Sequence, residues 1–162
     1  MSDVKRPRVM VDLSATLIHH GHIRLLKKAA EIGDVVVALT TDEEVKRTKG
    51  YVPELDFAAR KEILESIRYV QEVIPSPWLI DDAFLVANNC AFLVHGHDNS
   101  NHIPKEKLII FPRTEGISSS QLRERVLDCL IEMNLDSSKP SKASDKVARF
   151  LIESIKKEFR LE

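Results

Sequence analysis

Short apolar runs alternate with longer stretches of helical spacing along most of this chain. RVMVDL (8–13) is a valine-rich run that predicts a buried strand. Ile23, Leu26 and Ala30 then recur at helical spacing, and Gly33 stands where that helix would stop. DVVVALTTDEE (34–44) predicts a second buried strand that ends in polar residues. VKRTKGYVPEL (45–55) carries Lys46, Arg47 and Lys49 and reads as a mobile basic loop. Asp56 is placed to cap a helix whose face is Phe57, Ile63, Leu64, Ile67 and Val70. QEVIP (71–75) is a short strand that Pro75 ends, IDDAFLVANN (80–89) a helix, and AFLVHG (91–96) and KLIIFP (107–112) two further strands. Ser118 and Gln121 fit a capping box, with Ile117 and Leu122 as its hydrophobic staple. The buried stripe of that helix would be Leu122, Val126, Leu130 and Met133. After a polar segment, DSSKPSKASDK (136–146), the last stretch places Val147, Phe150, Leu151, Ile155 and Phe159 on one face of an amphipathic helix.

Strands that alternate with helices predict an α/β fold, a parallel sheet covered by helices on both faces, with a C-terminal helical extension. The expected organisation is a catalytic domain over 1–135, a linker over 136–146 and a terminal helix over 147–162. Composition suits a soluble globular chain, at 43% hydrophobic and 30% charged residues. The 24 basic and 25 acidic residues leave a net charge of −1, which supplies no basic field for nucleic acid. Cys90 and Cys129 lie in apolar stretches and read as buried free thiols of a reducing compartment. With no secretory apolar core and no run long enough to span a membrane, a cytoplasmic protein without a membrane partner is the expectation.

In open parallel sheets ligands bind at the carboxyl ends of the strands. Unusual polar residues follow several of the predicted strands here: SATLIHHGH after the first, Thr40, Thr41 and Asp42 after the second, HGHD (95–98) after the fourth and PRTEGISSS after the fifth. The HHGH segment falls at a helix start, where free N–H groups and the positive dipole end attract anions. His19 and His22 could donate to phosphate oxygens there, and Gly21 would let a ligand approach the backbone. Helix capping by His19 is the plainer alternative, and the histidine spacings also admit zinc, although no cysteine or carboxylate pattern supports it and no metal-ligating set is assigned. RTEGISSS repeats the same logic at a second helix start, with Arg113 as a fork for two phosphate oxygens.

HHGH and RTEGISSS, in this order, resemble the H-x-G-H and R-T-E-G-I-S-[ST]-[ST] signatures of the cytidylyltransferases in the H-x-G-H nucleotidyltransferase superfamily, of which the glycerol-3-phosphate enzymes are the type. The similarity runs over residues 7–131 and includes TTDEE, RKEILESIRYVQEVIP and HGHD. Leu13-Ser14-Ala15-Thr16 stands where that family has G-T-F-D, and GHDN where it has G-D-D-W. The resemblance implies a Rossmann-like nucleotidyltransferase fold and transfer of CMP from CTP to a small phosphorylated or phosphonate acceptor such as glycerol 3-phosphate, with release of pyrophosphate, for surface polysaccharide or polymer precursor synthesis. It implies that His19, His22, Lys49 and Arg113 act in catalysis. Leu13, Ser14, Ala15, Gly21, Lys46, Gly96, Asp98, Thr114, Ser118 and Ser119 would bind the nucleotide, and Arg68 and Trp78 the acceptor. It also implies Mg2+ brought with CTP, and a homodimer. The alternatives are transfer of AMP from ATP and a catalytically weak nucleotide-binding regulatory protein.

Overall fold

A computed structural model describes residues 6–135 and 150–151 of the chain. The chain divides into two compact units, Met1–Ser119 and Ser120–Glu162.

The first unit is an alternating α/β layer. Its elements in order are β1 (Arg8–Leu13), α1 (His20–Ile32), β2 (Asp34–Thr40), α2 (Asp42–Lys49), α3 (Phe57–Glu65), β3 (Val70–Ser76), α4 (Asp82–Ala87), β4 (Phe92–His95) and β5 (Leu108–Ile110), with a 3-10 turn, Lys105–Lys107, before β5. All five strands are parallel, in the order β3-β2-β1-β4-β5. The period-2 alternation of a strand builds two cores from one sequence run. Val9, Val11 and Leu13 join Val35, Val37 and Leu39 on one face, against Leu26 and Ala29 of α1 and Leu64 of α3. Met10 joins Val36 and Ala38 on the other, against Ile80 and Leu85. The chain winds outward from β1 to β3, then returns to the other side of β1 with β4. Strand order therefore reverses between β1 and β4, and the crevice outside their carboxyl ends is where such sheets bind ligands.

Three elements differ from the sequence expectation. Residues 42–49 form a helix, where the sequence predicts the polar end of the second strand over 42–44 and a loop from 45. Thr41 caps it by accepting from the Glu44 N–H, Asp42, Glu43 and Glu44 fill its first turn, Lys46, Arg47 and Lys49 fill its last, and Gly50 closes it in the left-handed region at φ 78°. Acids first and bases last match the helix dipole, which stabilises a helix with one buried residue, Val45. Pro75 does not end β3 but lies inside it, opposite Leu39. β3 is an edge strand, so a proline without an N–H is tolerated. Val70 and Ile67 lie beyond α3, and Val70 opens β3 instead.

In the second unit, α5 (Ser119–Leu135) starts in unit one and runs on as helix. Val126 is 59% exposed, so the expected stripe is not buried there, and Cys129, one helical turn along the same face, is exposed with it. Cys90 is buried as expected. The side chains of Leu130 and Met133, the 136–146 segment and most of 147–162 lie outside the described residues. Phe150 and Leu151 are helical and exposed. Among the described residues, no helix is long and apolar enough to cross a membrane.

Candidate active site

HHGH forms a reciprocal cap at the start of α1. The Gly21 N–H donates to His19 Nδ1 at 3.2 Å, and the His19 N–H donates to His22 Nδ1 at 3.2 Å. Each ring thus spends Nδ1 as an acceptor. In the neutral imidazole the proton must then sit on Nε2, so the cap fixes the tautomer and leaves each ring with one N–H to donate. The rings lie 3.9 Å apart between centroids. Gly21 is required for this arrangement. A Cβ there would stand 2.9 Å from His19 Nδ1 and 3.4 Å from Ile117 Cγ2. The close approach that the glycine permits is therefore made by the His19 ring and by the RTEGIS loop. Gly116, at φ 72°, turns that loop so that Ile117 is buried beside α1. Ser119 Oγ then donates to the Leu17 carbonyl at 3.2 Å and ties the two signature segments together.

Burial pushes the His22 pKa down to about 3, aided by positive charge at His19, Lys49 and Arg113. Burial also lowers that of His19, with His20 and Arg113 adding to it. Both rings are therefore neutral N–H donors near pH 7, among cations suited to a polyphosphate. An unfolded chain protonates His22 below about pH 6.5 and the folded one only near 3, so stability is lost as pH falls through that window. Relative to a His22→Gln chain, stability should fall by roughly 1–3 kcal/mol between about pH 6.5 and pH 4. Urea unfolding of both chains at several pH values checks this, and parallel curves would show that the ring is not held away from water.

A pocket of about 240 Å³ opens at the carboxyl ends of β1, β2 and β4, lined by Asp12, Ser14, Thr40, Lys49, Trp78, Leu79, His95, Asp98, Ser100 and Asn101. Lys49 leaves the last turn of α2, donates to Ser14 Oγ at 3.1 Å and lies 5.4 Å above the Trp78 ring. Glu44 of the same helix accepts from the Trp78 N–H at 2.8 Å, which places the tryptophan. Asp98 lies 3.8 Å from Arg113, joining the HGHD turn to the RTEGIS loop, and His95 Nδ1 is 3.0 Å from the Gly96 carbonyl oxygen.

Of the predicted site residues, Ser14, Lys49, Trp78 and Asp98 line this pocket. His19, Gly21, His22 and Ser119 lie at the start of α1 outside its lining, where Lys49 and Arg113 act on His22 by charge, and Gly96 and Arg113 lie beside Asp98. Thr114 and Ser118 lie in the same RTEGIS loop. The Leu13 side chain packs into the core and leaves only its backbone at the crevice. Ala15 is buried at φ 44°, a strained turn rather than a contact surface. Lys46 is exposed on α2 and does not line the pocket. Arg68 precedes β3 at its amino end, roughly 20 Å along the strand from the pocket end, and donates to Tyr69 Oη. A single chain does not bring it to the site.

Asp12 and its partner Asn101 line the pocket and escaped sequence reasoning. Asp12 continues the Met10 face of β1 to the crevice, and its signal was a carboxylate inside an otherwise apolar strand. Its side chain is 9% exposed, and burial pushes its pKa up against a hydrogen bond from Asn101 Nδ2, 2.8 Å from Oδ2, and the charge of His95. The third missed residue is Arg60, fully buried behind the pocket, where it binds the Ser14 and Thr40 carbonyls.

Taken together, a doubly wound sheet with anion-binding helix starts and paired neutral histidines at its switch point defines a phosphate-handling α/β protein. Residues 15–125 match the cytidylyltransferase-like family model, and the chain belongs to that family. It is 38% identical over 127 residues to a glycerol-3-phosphate cytidylyltransferase of Staphylococcus aureus, covering 74% of this chain and 94% of that one. It is 36% identical over 138 residues to an ethanolamine-phosphate cytidylyltransferase of Dictyostelium discoideum, covering 77% of this chain and 38% of that one. These relatives are nucleotidyltransferases by name. A solved lipopolysaccharide core biosynthesis protein of Thermoplasma volcanium shares the fold, with TM-score 0.57, 18% identity, and coverage of 67% of this chain and 98% of that one.

Proposed function

We propose that the protein transfers CMP from CTP to the phosphate of a small acceptor whose far end carries an amine. An acceptor phosphate oxygen attacks the α-phosphorus of CTP, a new P–O bond forms as the α–β bridging P–O bond breaks, and pyrophosphate leaves. The attacking oxygen is already anionic, so positioning and charge neutralisation supply the catalysis. The His19 and His22 Nε2–H groups, Lys49, Arg113 and the start of α1 are suited to hold the phosphates. Among the described residues no group of three or more His, Cys, Asp or Glu side chains is placed to hold a metal. Mg2+ would arrive as the CTP chelate, with phosphate oxygens as its main ligands and its charge offsetting theirs.

The observation that carries the acceptor reading is Asp12. Its Oδ2 is occupied by Asn101, and among the described residues no donor reaches Oδ1. Asp12 and Asp98 line the pocket against one lysine. A desolvated carboxylate gains most from a cation that also donates hydrogen bonds, and an ammonium group does both. The ethanolamine-phosphate relative supports the same choice. Pyrophosphate release with matched acceptors tests it. With CTP, 2-aminoethyl phosphate should exceed glycerol 3-phosphate at least tenfold in kcat/KM, and CTP should exceed ATP by a similar factor. Equal or better use of glycerol 3-phosphate would remove the amine, and preference for ATP would move the protein to AMP transfer. No turnover with any acceptor would favour a regulatory nucleotide-binding protein.

A further inference from the structure

Asp12 does not stand alone on the pocket floor. His95, the last residue of β4, places Nε2 at 3.6 Å from Asp12 Oδ2, the oxygen that Asn101 already binds. Its Nδ1 faces the Gly96 carbonyl oxygen at 3.0 Å and can only donate to it. With Nδ1 protonated, a second proton on the ring makes it cationic, and without one Nε2 presents a lone pair to the carboxylate. A lone pair beside an ionised, buried carboxylate is repulsive and leaves an unpaired charge. One proton between the two groups, on either of them, makes the pair electrically neutral. Side-chain exposures of 18% for His95 and 9% for Asp12 make that neutrality matter. The transfer chemistry uses neither group.

We propose that the Asp12–His95 pair holds one proton while the acceptor pocket is empty and releases it when an ammonium end docks on Asp12. The incoming cation takes over neutralisation of the carboxylate, His95 becomes neutral, and the proton leaves to solvent. Charge and atoms balance: one cation enters and one proton departs. His95 is thus a specificity-determining residue, because an acceptor ending in a hydroxyl cannot displace the proton. This rests on the amine reading of the acceptor above. The other charged groups facing the pair are Lys49 from α2 and Asp98 from the loop after β4, the latter next to Arg113.

The test compares 2-aminoethyl phosphate with 2-hydroxyethyl phosphate as acceptors from pH 6 to 8, with CTP saturating. The amine is protonated throughout this range. Ionisation of the acceptor phosphate affects both acceptors and cancels in the ratio of their kcat/KM values, and any contribution of Lys49 and Asp98, which also face the amine, is retained in His95→Gln and so is separated by that comparison. That ratio should rise at least fivefold from pH 6 to pH 8 in the native chain. In His95→Gln it should stay within twofold across the range while the amine remains preferred. In Asp12→Asn the preference should vanish at every pH. As a measurement independent of variants, calorimetry of the native protein in two buffers of different ionisation enthalpy should show release of close to one proton more per 2-aminoethyl phosphate bound than per 2-hydroxyethyl phosphate. A flat native ratio, equal proton release, or a native slope retained in His95→Gln would overturn the pair's role and leave the amine reading standing. Failure of the amine acceptor to be preferred at any pH would overturn both.

Discussion

His19→Asn should lower kcat by about 10²–10³-fold and leave the protein folded with nearly native stability. Asparagine is among the best N-cap residues, and its side-chain oxygen can replace Nδ1 as the acceptor for the Gly21 N–H. What it cannot replace is the donor on Nε2. His19→Ala should lose both roles and cost about 1 kcal/mol of stability in addition. The contrast separates the two readings that the sequence left open for HHGH, a helix cap and a phosphate clamp. Steady-state kinetics of CTP turnover and urea unfolding of the two variants provide the comparison. If His19→Asn kept a native rate, the ring would be a cap and nothing more. The cap holds Nδ1 and so fixes Nε2 as the nitrogen that would donate to a phosphate.

What could be read from the chain was what is local. Valine-rich runs marked the central strands, Asp56 announced α3, and Gly33 ended α1, each through a pattern within one turn or one strand. HHGH and RTEGISSS were legible as a pair because both are helix starts following strands, and a parallel sheet brings all such points to one edge. α2 was misread because glycine and basic residues outweighed a quieter signal, the threonine cap followed by acids and then bases. Asp12 and Arg60 were missed, and His95 was seen only as part of HGHD and not as a partner of Asp12, for another reason. A single acid, histidine or arginine has no period, and its meaning depends on which strands become neighbours. Only the placement of β4 beside β1 sets His95 against Asp12. Lys49 lines the pocket from an ordered helix end, where it donates to Ser14, and is not carried on the expected loop.

Arg60→Met should be the most destabilising single substitution in the described part of the site, at about 3–5 kcal/mol. The guanidinium is fully buried and reaches four acceptors: the Leu55 carbonyl at 3.2 Å, the Ser14 carbonyl at 2.5 Å, the Thr40 carbonyl at 3.0 Å and Asp42 Oδ1 at 2.6 Å. These groups belong to the ends of β1 and β2, the start of α2 and the approach to α3, which are the segments that frame the pocket. Methionine fills similar volume but donates nothing. It would leave three carbonyls without this donor and Asp42 without its cation, while Asp42 would still accept from the Phe57 N–H at 2.9 Å. Lysine restores the charge without the planar fork and should recover only part of the loss. The solvent-facing Arg8–Glu72 pair is nearly as short, at 2.7 Å, yet Arg8→Met should cost less than about 1 kcal/mol, because both partners remain solvated when separated. Ser14 both accepts from Lys49 and anchors to Arg60, so the Arg60→Met chain, assayed where it is still folded, should also lose affinity for the acceptor. Urea unfolding of the four chains, with kcat/KM for the acceptor, decides the matter. A loss below about 1 kcal/mol for Arg60→Met would mean that water satisfies the freed carbonyls and that the pocket rim is held by the strands alone.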